Sequence, residues 1–341
     1  MAGVSADRCP GVLRPHLAAD GAMVRIRIPG GQTTGTALAR LGALATAYGS
    51  GLLQLTSRGS LQIRGLADPV PDDFVAAVAA AGLLPSAAHE RVRNIVASPL
   101  TGLSGGRADL RPLVIALDEE LRAAADLAEL SGRFLFALDD GRGDVLTLPF
   151  GVAYQALDPD RGVIMAGDQR RLVTMIEAAP ALIDAARSAL RPELVEGRES
   201  GASTGSARIT TIPVGVIGDH AGVVVPLGFL TPEQLAAVHA AAGNGPVVVT
   251  PWRGLVIPYA AGRVPELAAA GLVVDDASPW TLITACVGAP YCAKARMETL
   301  AAARELAGRS GTTALRRTHL SGCERRCGAP TTAHVDLVAH A

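Results

Sequence analysis

Four cysteines near the C-terminus have the residue type and the spacing of a metal centre. Cys286 and Cys292 are separated by five residues, and Cys323 and Cys327 by three. Four thiolates complete the ligand set of a [4Fe–4S] cluster, and thiolates also bind zinc. Neither pair has the C-x2-C spacing common in zinc ribbons and fingers. The sequence therefore predicts an iron–sulfur site, with structural zinc and buried core thiols as alternatives.

The segment between the two cysteine pairs must position them. Residues Ala293 to Leu306 are rich in Ala, Leu, Arg and Glu, which are strong helix formers, so we expect a helix there. Cys292 would then lie at the N-terminus of that helix, where the helix dipole stabilises a thiolate. Glycine and proline beside both pairs predict that the backbone closely approaches a bound group.

The composition and the charge argue against several functions. The chain has 341 residues and a formal net charge of −1, which argues against binding to nucleic acid or to a membrane surface. Its start lacks the basic and apolar regions of a signal peptide, and no apolar run is long enough to span a membrane. Five cysteines fit one cluster plus Cys9 better than a set of disulfides. We therefore expect a cytoplasmic protein.

One order of elements is predicted twice. Residues 12–64 and residues 214–259 both show strand, turn, strand, helix and two further strands, with Thr34 and Thr231 as helix caps. This order is typical of a ferredoxin-like half. The predicted fold class is α+β, with duplicated ferredoxin-like halves about a pseudo-twofold axis and α/β domains that bind cofactors. A gapless match of the segments that follow places Ala97 opposite Cys286.

The prediction divides the chain into five parts. Residues 191–208 are polar and rich in Gly and Ser, as linkers are. In the middle domain we expect a helix over residues 113–130 and mostly helix over residues 170–190. The parts are a first ferredoxin-like half (1–82), a middle α/β domain (83–190), a flexible linker or insertion (191–208), a second ferredoxin-like half (209–271) and a cluster-binding α/β domain (272–341).

The cysteine spacing, C-x5-C followed by C-x3-C, resembles the cluster motif of the nitrite/sulfite reductase family. The resemblance implies that Cys286, Cys292, Cys323 and Cys327 hold a [4Fe–4S] cluster, and that Cys327 also bridges to the iron of a siroheme. It further implies that the cofactors lie between the duplicated halves and two α/β domains. His319, close before the second pair, is a candidate to support the cluster from outside its ligand set.

Members of this family bind tetrapyrrole carboxylates and an anionic substrate with basic side chains, and two of their patterns are matched here. Thr-x-Arg is matched at Arg58, before the strand that carries Arg64, and Arg-Asn is matched at Arg93-Asn94. The resemblance implies that Arg58 and Arg93 are catalytic. It also implies that Arg58, Arg64 and Asn94 bind the cofactor.

A third basic pattern departs from the family. Sulfite-reducing members carry a Lys-x-Lys pair, and the corresponding positions here are Arg133 and Leu135. Arg133 is the third catalytic candidate, whereas Leu135 supplies no charge. A pocket that lacks one cation is poorer at binding and protonating sulfite or nitrite, which weakens the hypothesis of a reductase.

The opening Cys9-Pro10, the stretch of residues 20–27 and the compact length resemble the precorrin-3B synthase branch of this family. That resemblance implies dioxygen-dependent hydroxylation and lactone formation on precorrin-3A, in cobalamin biosynthesis. Siroheme or the tetrapyrrole substrate would occupy the same pocket, and a mononuclear iron is a further candidate. No nucleotide-binding fingerprint is present, so we expect a separate ferredoxin or reductase as electron donor. The alternatives are a siroheme-dependent nitrite or sulfite reductase, and a zinc-stabilised or degenerate non-enzymatic paralogue.

Overall fold

The computed structural model describes residues 9–190, 212–309, 315–330 and 333–339. The predicted linker, residues 191–208, lies outside the described residues. Within the described ranges the strands form three five-stranded sheets and one three-stranded sheet. None of the helices in these ranges is both long enough and apolar enough to cross a membrane.

Two antiparallel sheets come from the duplicated halves, and each sheet contains one edge strand from the other half. Because the first sheet takes its last strand from the second half, and the second sheet takes its last strand from the first half, the halves are interlocked. The first sheet contains, in spatial order, β1 (His16–Ala18), β2 (Gly21–Ile26), β5 (Leu61–Leu66), β4 (Leu53–Leu55) and β13 (Phe229–Leu230). The second contains β11 (Gly215–Ile217), β12 (His220–Val224), β15 (Gly254–Ile257), β14 (Pro246–Val249) and β3 (Gln32–Thr34).

The helices of the two halves begin at the predicted caps. Thr34 Oγ1 accepts a hydrogen bond from the Ala37 amide at 3.1 Å, and Thr231 forms a reciprocal capping box with Gln234. One core contains side chains from both halves, so the predicted α+β architecture with duplicated halves is confirmed. The helices of the halves are α1 (Gly35–Tyr48), α2 (Asp72–Ala80), α5 (Pro232–Ala242) and α6 (Val264–Ala269).

The middle sheet begins with three parallel strands and continues with an antiparallel hairpin. Its strands are, in spatial order, β6 (Ile95–Ala97), β7 (Phe136–Asp139), β8 (Val152–Ala156), β9 (Arg161–Ala166) and β10 (Gln169–Thr174). Helices α3 (Arg111–Ala123) and α4 (Met175–Leu190) pack against it. The prediction of mostly helix over residues 170–190 is confirmed for residues 175–190, whereas residues 170–174 pair with β9 across the turn at Gly167, where φ is +56°. The predicted helix over residues 113–130 ends at Ala123, and a 3-10 turn follows.

A small parallel sheet carries the cysteines. It consists of β16 (Ile283–Ala285), β17 (Thr318–Ser321) and β18 (Val335–Val338), with α7 (Thr299–Arg309) against it. Helix α7 begins seven residues after Cys292, so the prediction that Cys292 lies at a helix N-terminus is wrong. After Cys292 the backbone forms hydrogen bonds with neighbouring loops and not the regular hydrogen bonds of a helix. Arg296 N donates to Gly322 O at 2.8 Å, and Met297 O accepts from Ala289 N at 2.9 Å.

Candidate functional site

Two of the four cysteines follow neighbouring strands of the small parallel sheet. Cys286 comes directly after β16, and Cys323 comes two residues after β17. The carboxyl ends of parallel strands meet at one edge of a sheet, so the two cysteine loops lie side by side. The Cys286 amide donates to Leu320 O at 2.9 Å, and the Gly322 amide donates to Cys286 Sγ at 3.2 Å.

The other three cysteines of the motif all affect the pKa of the Cys327 thiol. Burial raises the pKa of the Cys327 thiol, and Arg325 opposes that increase. Cys286, Cys323 and Cys292 each raise the pKa of Cys327 further, which requires all three to lie within electrostatic range. The tertiary structure therefore brings together thiols that are up to 41 positions apart in the sequence.

The four thiols are the side chains of this site that could hold a metal or a cluster. In the described part of the chain, no group of three or more His, Cys, Asp or Glu side chains is placed to hold one metal ion. The amide of Gly322 donates a hydrogen bond to Cys286 Sγ, and such a bond stabilises a thiolate. The role of Cys286, Cys292, Cys323 and Cys327 as cluster ligands stays a prediction.

A row of arginines covers the face of the first sheet that points away from the core. Val24 and Ile26 of β2 are buried in the core, so Arg25 and Arg27 project from the opposite face. Opposite Arg25 in the register, Gln62 is oriented so that its amide oxygen accepts from Arg25 Nε at 2.8 Å and from Nη2 at 2.6 Å. Sequence analysis missed Arg25 and Arg27 as site residues, although their alternation with Val24 and Ile26 was the signal that could have found them.

The positive charges of this row are only partly compensated. Burial lowers the pKa of Arg27, and Arg25 and Arg58 lower it further, whereas Cys9 and Glu90 oppose that decrease. Burial is also the main cause that lowers the pKa values of Arg25 and Arg58, and Cys9 opposes the decrease at both. Arg27 is 2% exposed, and its Nε and Nη1 have no hydrogen-bond partner. Like charges that lie close together and are partly removed from water favour a bound anion.

Three predicted arginines lie along or beside this row. Arg58 Nη1 donates to the backbone carbonyl of Arg133 at 2.9 Å, which brings the two residues together, and Arg133 is exposed. Arg64 forms an ion pair with Asp20 at 2.9 Å, and its Nη2 also donates to Tyr291 O at 3.1 Å. Because Tyr291 precedes Cys292, Arg64 links the arginine face directly to the cysteine loops. The catalytic and binding roles of these residues stay predictions.

Arg93 and Asn94 have structural partners. Arg93 donates from Nε and Nη2 to Asp118 at 2.6 and 3.0 Å, so a carboxylate already neutralises its charge. Asn94 Nδ2 donates to Arg91 O at 3.0 Å and to Gly132 O at 2.8 Å, which holds the segment before Arg133 in place. The structure therefore does not add Arg93 to the row of partly compensated arginines, and its catalytic role stays a prediction.

The middle sheet contains a serine at the position that corresponds to Cys286. The Ser98 amide donates to Leu138 O at 3.0 Å, as the Cys286 amide does in the small sheet. Asp140 N donates to Ser98 Oγ at 3.1 Å, the counterpart of the amide bond to Cys286 Sγ. The gapless match that placed Ala97 there is therefore wrong by one residue, because the hydrogen-bond register sets the alignment.

Known proteins resemble this chain in sequence and in fold. Residues 15–81 match the family described as the nitrite/sulfite reductase ferredoxin-like half domain. The chain is 25% identical to a precorrin-3B synthase of Sinorhizobium sp, over 99% of this chain and 82% of that protein. It is 26% identical to a ferredoxin–nitrite reductase of Synechococcus elongatus, over 93% of this chain and 76% of that protein. The solved structure of the NirA protein of Mycobacterium tuberculosis has the same fold, with a TM-score of 0.69 and 20% identity, over 90% of this chain and 69% of that one.

The predicted resemblance is thereby confirmed. The chain is similar along nearly its whole length to a precorrin-3B synthase and to a ferredoxin–nitrite reductase, and its residues 15–81 match the nitrite/sulfite reductase ferredoxin-like half domain.

Proposed function

We propose that this chain is a precorrin-3B synthase-like oxidoreductase, a monooxygenase that acts on a tetrapyrrole in cobalamin biosynthesis. In this proposal Cys286, Cys292, Cys323 and Cys327 hold a [4Fe–4S] cluster. The reaction would be dioxygen-dependent hydroxylation of precorrin-3A with formation of a lactone. When bound, the cluster would supply electrons one at a time.

The observation that carries the proposal is the partly buried and only partly compensated arginine row beside the cysteine loops. A tetrapyrrole with several carboxylates is a large flat anion, and Arg25, Arg27 and Arg58 offer donors along one sheet face. Arg64 lies on the same face and contacts the loop that carries Cys292. The row would therefore hold the carboxylates while the cysteine loops approach the macrocycle.

A second candidate is a siroheme-dependent nitrite or sulfite reductase, which the similarity to a ferredoxin–nitrite reductase favours. One side chain counts against it. Leu135, at the position of a lysine in sulfite-reducing relatives, is 0% exposed and packs with Val96 and Val145 in the core. A cation cannot replace it there without burying a charge, so the pocket lacks the second cation of the Lys-x-Lys pattern.

The test is turnover of precorrin-3A by protein reconstituted with iron and sulfide, with dioxygen and a ferredoxin or a reductase as donor. We expect a product that is heavier by one oxygen atom, and labelled dioxygen should supply that atom. Arg25→Gln should weaken tetrapyrrole binding by about 10- to 100-fold, the value of one or two hydrogen bonds to a charged group. Arg187→Gln, an exposed arginine on α4, is the matched control that should bind as the wild type does.

Three results would redirect the proposal. A siroheme absorption band together with nitrite- or sulfite-dependent oxidation of a reduced dye, without a change in the mass of precorrin-3A, would establish the reductase. Zinc without iron or acid-labile sulfide would establish the zinc-stabilised, non-enzymatic alternative. Cys327→Ser should lose the cluster absorbance and Cys9→Ser should keep it; equal absorbance in both variants would contradict the assigned ligands.

A further inference from the structure

One arginine of the second half occupies a backbone position that the first half fills with glycine. In the first half, Thr56 Oγ1 accepts from the amides of Arg58 and Ser60 at 3.3 and 3.1 Å, and Gly59 between them has a φ of +62°. In the second half, Thr250 Oγ1 accepts from the amides two and four residues later at the same two distances. The residue that corresponds to Gly59 is Arg253, with a φ of +60°.

A left-handed backbone conformation is costly for a residue with a side chain, and such strain persists where the surrounding structure enforces it. Here the strained residue directs its side chain at the last cysteine loop. Arg253 Nη2 donates to Gly328 O at 3.3 Å, directly after Cys327. A Cβ atom on Gly328 would lie 3.0 Å from Arg253 Nη2, so glycine makes room for the guanidinium.

The guanidinium of Arg253 is half-buried and has no carboxylate partner. Burial is the cause that lowers the pKa of Arg253, and its Nη1 is enclosed without a hydrogen-bond partner. Among the described residues, no carboxylate forms an ion pair with it within 4.0 Å. A buried cation of this kind is expensive unless an anion accompanies it.

Two further buried polar residues lie on the adjoining face of the small sheet. His319 and Ser321 alternate with the core residue Leu320 on β17, so both project from the face opposite the core. Both are 0% exposed, and Ser321 Oγ has no hydrogen-bond partner. Arg253 is close enough to lower the pKa of His319, in addition to the larger effect of burial.

We infer that Arg253 is a positioning residue that neutralises the charge of the cluster at the Cys323–Cys327 loop. This inference rests on the proposed function. A [4Fe–4S] cluster with four thiolates is an anion, and it becomes more negative on reduction. A fixed cation beside it stabilises the reduced form more than the oxidised form. Arg253 therefore raises the reduction potential of the cluster, and Ser321 adds a hydroxyl donor on the same side.

The experiment measures the midpoint potential of the reconstituted cluster by redox titration with spectroscopic detection. Arg253→Gln removes the charge, Arg253→Lys keeps it, and Arg253→Gly has the residue that the first half uses at this position, so it should fold. Arg263→Gln is the matched control, because Arg263 belongs to the same half but is exposed and pairs with Glu266. We expect a lower potential in Arg253→Gln and Arg253→Gly, a smaller change in Arg253→Lys, and little change in Arg263→Gln.

Loss of the cluster from the uncharged variants, with the cluster retained in Arg253→Lys, would also support the inference. Loaded Arg253→Gln and Arg253→Gly proteins with the potential of the wild type would overturn it. So would an unchanged potential with weaker tetrapyrrole binding, since the guanidinium would then serve the tetrapyrrole. If the wild type binds no iron and sulfide, the cluster itself is refuted; an unchanged potential in loaded variants refutes only the role of Arg253.

Discussion

At the scale of residues, the counterpart of the cluster site in the middle sheet contains carboxylates instead of thiols. Asp140 is 0% exposed and forms an ion pair with Arg142 at 2.8 Å. Asp144 accepts a hydrogen bond from Ser98 Oγ at 2.6 Å. Burial is the main cause that raises the pKa of Asp144 from 3.8 to about 7, with Asp139 and Asp140 acting in the same direction. A network of hydrogen bonds and ion pairs thus occupies the position that corresponds to the cysteine loops of the small sheet.

This network predicts a pH dependence of stability. Asp144 binds its proton more tightly in the folded protein than in the unfolded protein, so its contribution is fully present below the unfolded pKa of 3.8 and is lost as the pH rises through about 7. We expect Asp144→Asn to reduce the fall in unfolding free energy between about pH 4 and about pH 7. Part of the fall should remain, because burial also raises the pKa of Asp139.

Urea denaturation of the wild type and the variant at several pH values in this range measures the effect. Asp276→Asn, at an exposed position, is the control and should keep the slope of the wild type. Parallel stability curves for the wild type and Asp144→Asn would contradict the assigned pKa.

At the scale of elements, the first helix of each half begins at a threonine cap. Thr34 and Thr231 both cap a helix that follows an edge strand exchanged with the other half. The two helices then approach each other closely: a Cβ on Gly42 of α1 would lie 2.5 Å from Leu235 Cδ1 of α5. Caps and a small residue at the crossing therefore determine how the halves pack.

We expect Thr231→Ala to lower the free energy of unfolding by about 1 kcal/mol, because it removes the hydroxyl that accepts from the Gln234 amide. Thr231→Ser keeps that hydroxyl and should lose much less. Thermal unfolding followed by circular dichroism compares the two variants. Equal melting temperatures for Thr231→Ala and the wild type would show that tertiary packing alone maintains the start of α5.

At the scale of the whole molecule, the exchange of edge strands makes the halves interdependent. Phe229 of β13 pairs with Gln54 of β4, and Thr34 of β3 pairs with Pro246 of β14. The shared core includes Leu41 and Leu55 from one half and Leu235 and Leu255 from the other. Neither half can complete its sheet or bury its apolar face alone.

We therefore expect residues 1–190 expressed alone to lack cooperative unfolding of the first sheet, because both β13 and α5 are missing. Hydrogen exchange at the β4 amides reports on that sheet directly, and protection should be lost in the fragment. Addition of residues 212–341 as a separate chain should restore it. A fragment that protects β4 as the full chain does would disprove the interdependence.

The sequence by itself determined the duplicated order of elements and both helix caps, and it predicted the cysteine ligand set, because these depend on residue type and short spacing. The sequence also shows Arg25 and Arg27 alternating with apolar residues along and directly after β2, which could have predicted them as site residues. Only the tertiary structure decided the ion pair of Arg93 with Asp118, the register that aligns Ser98 with Cys286 and the burial of Arg253. Those features depend on which surfaces distant segments bring together, and the energy of a charge is set by its surroundings rather than by its neighbours in the chain.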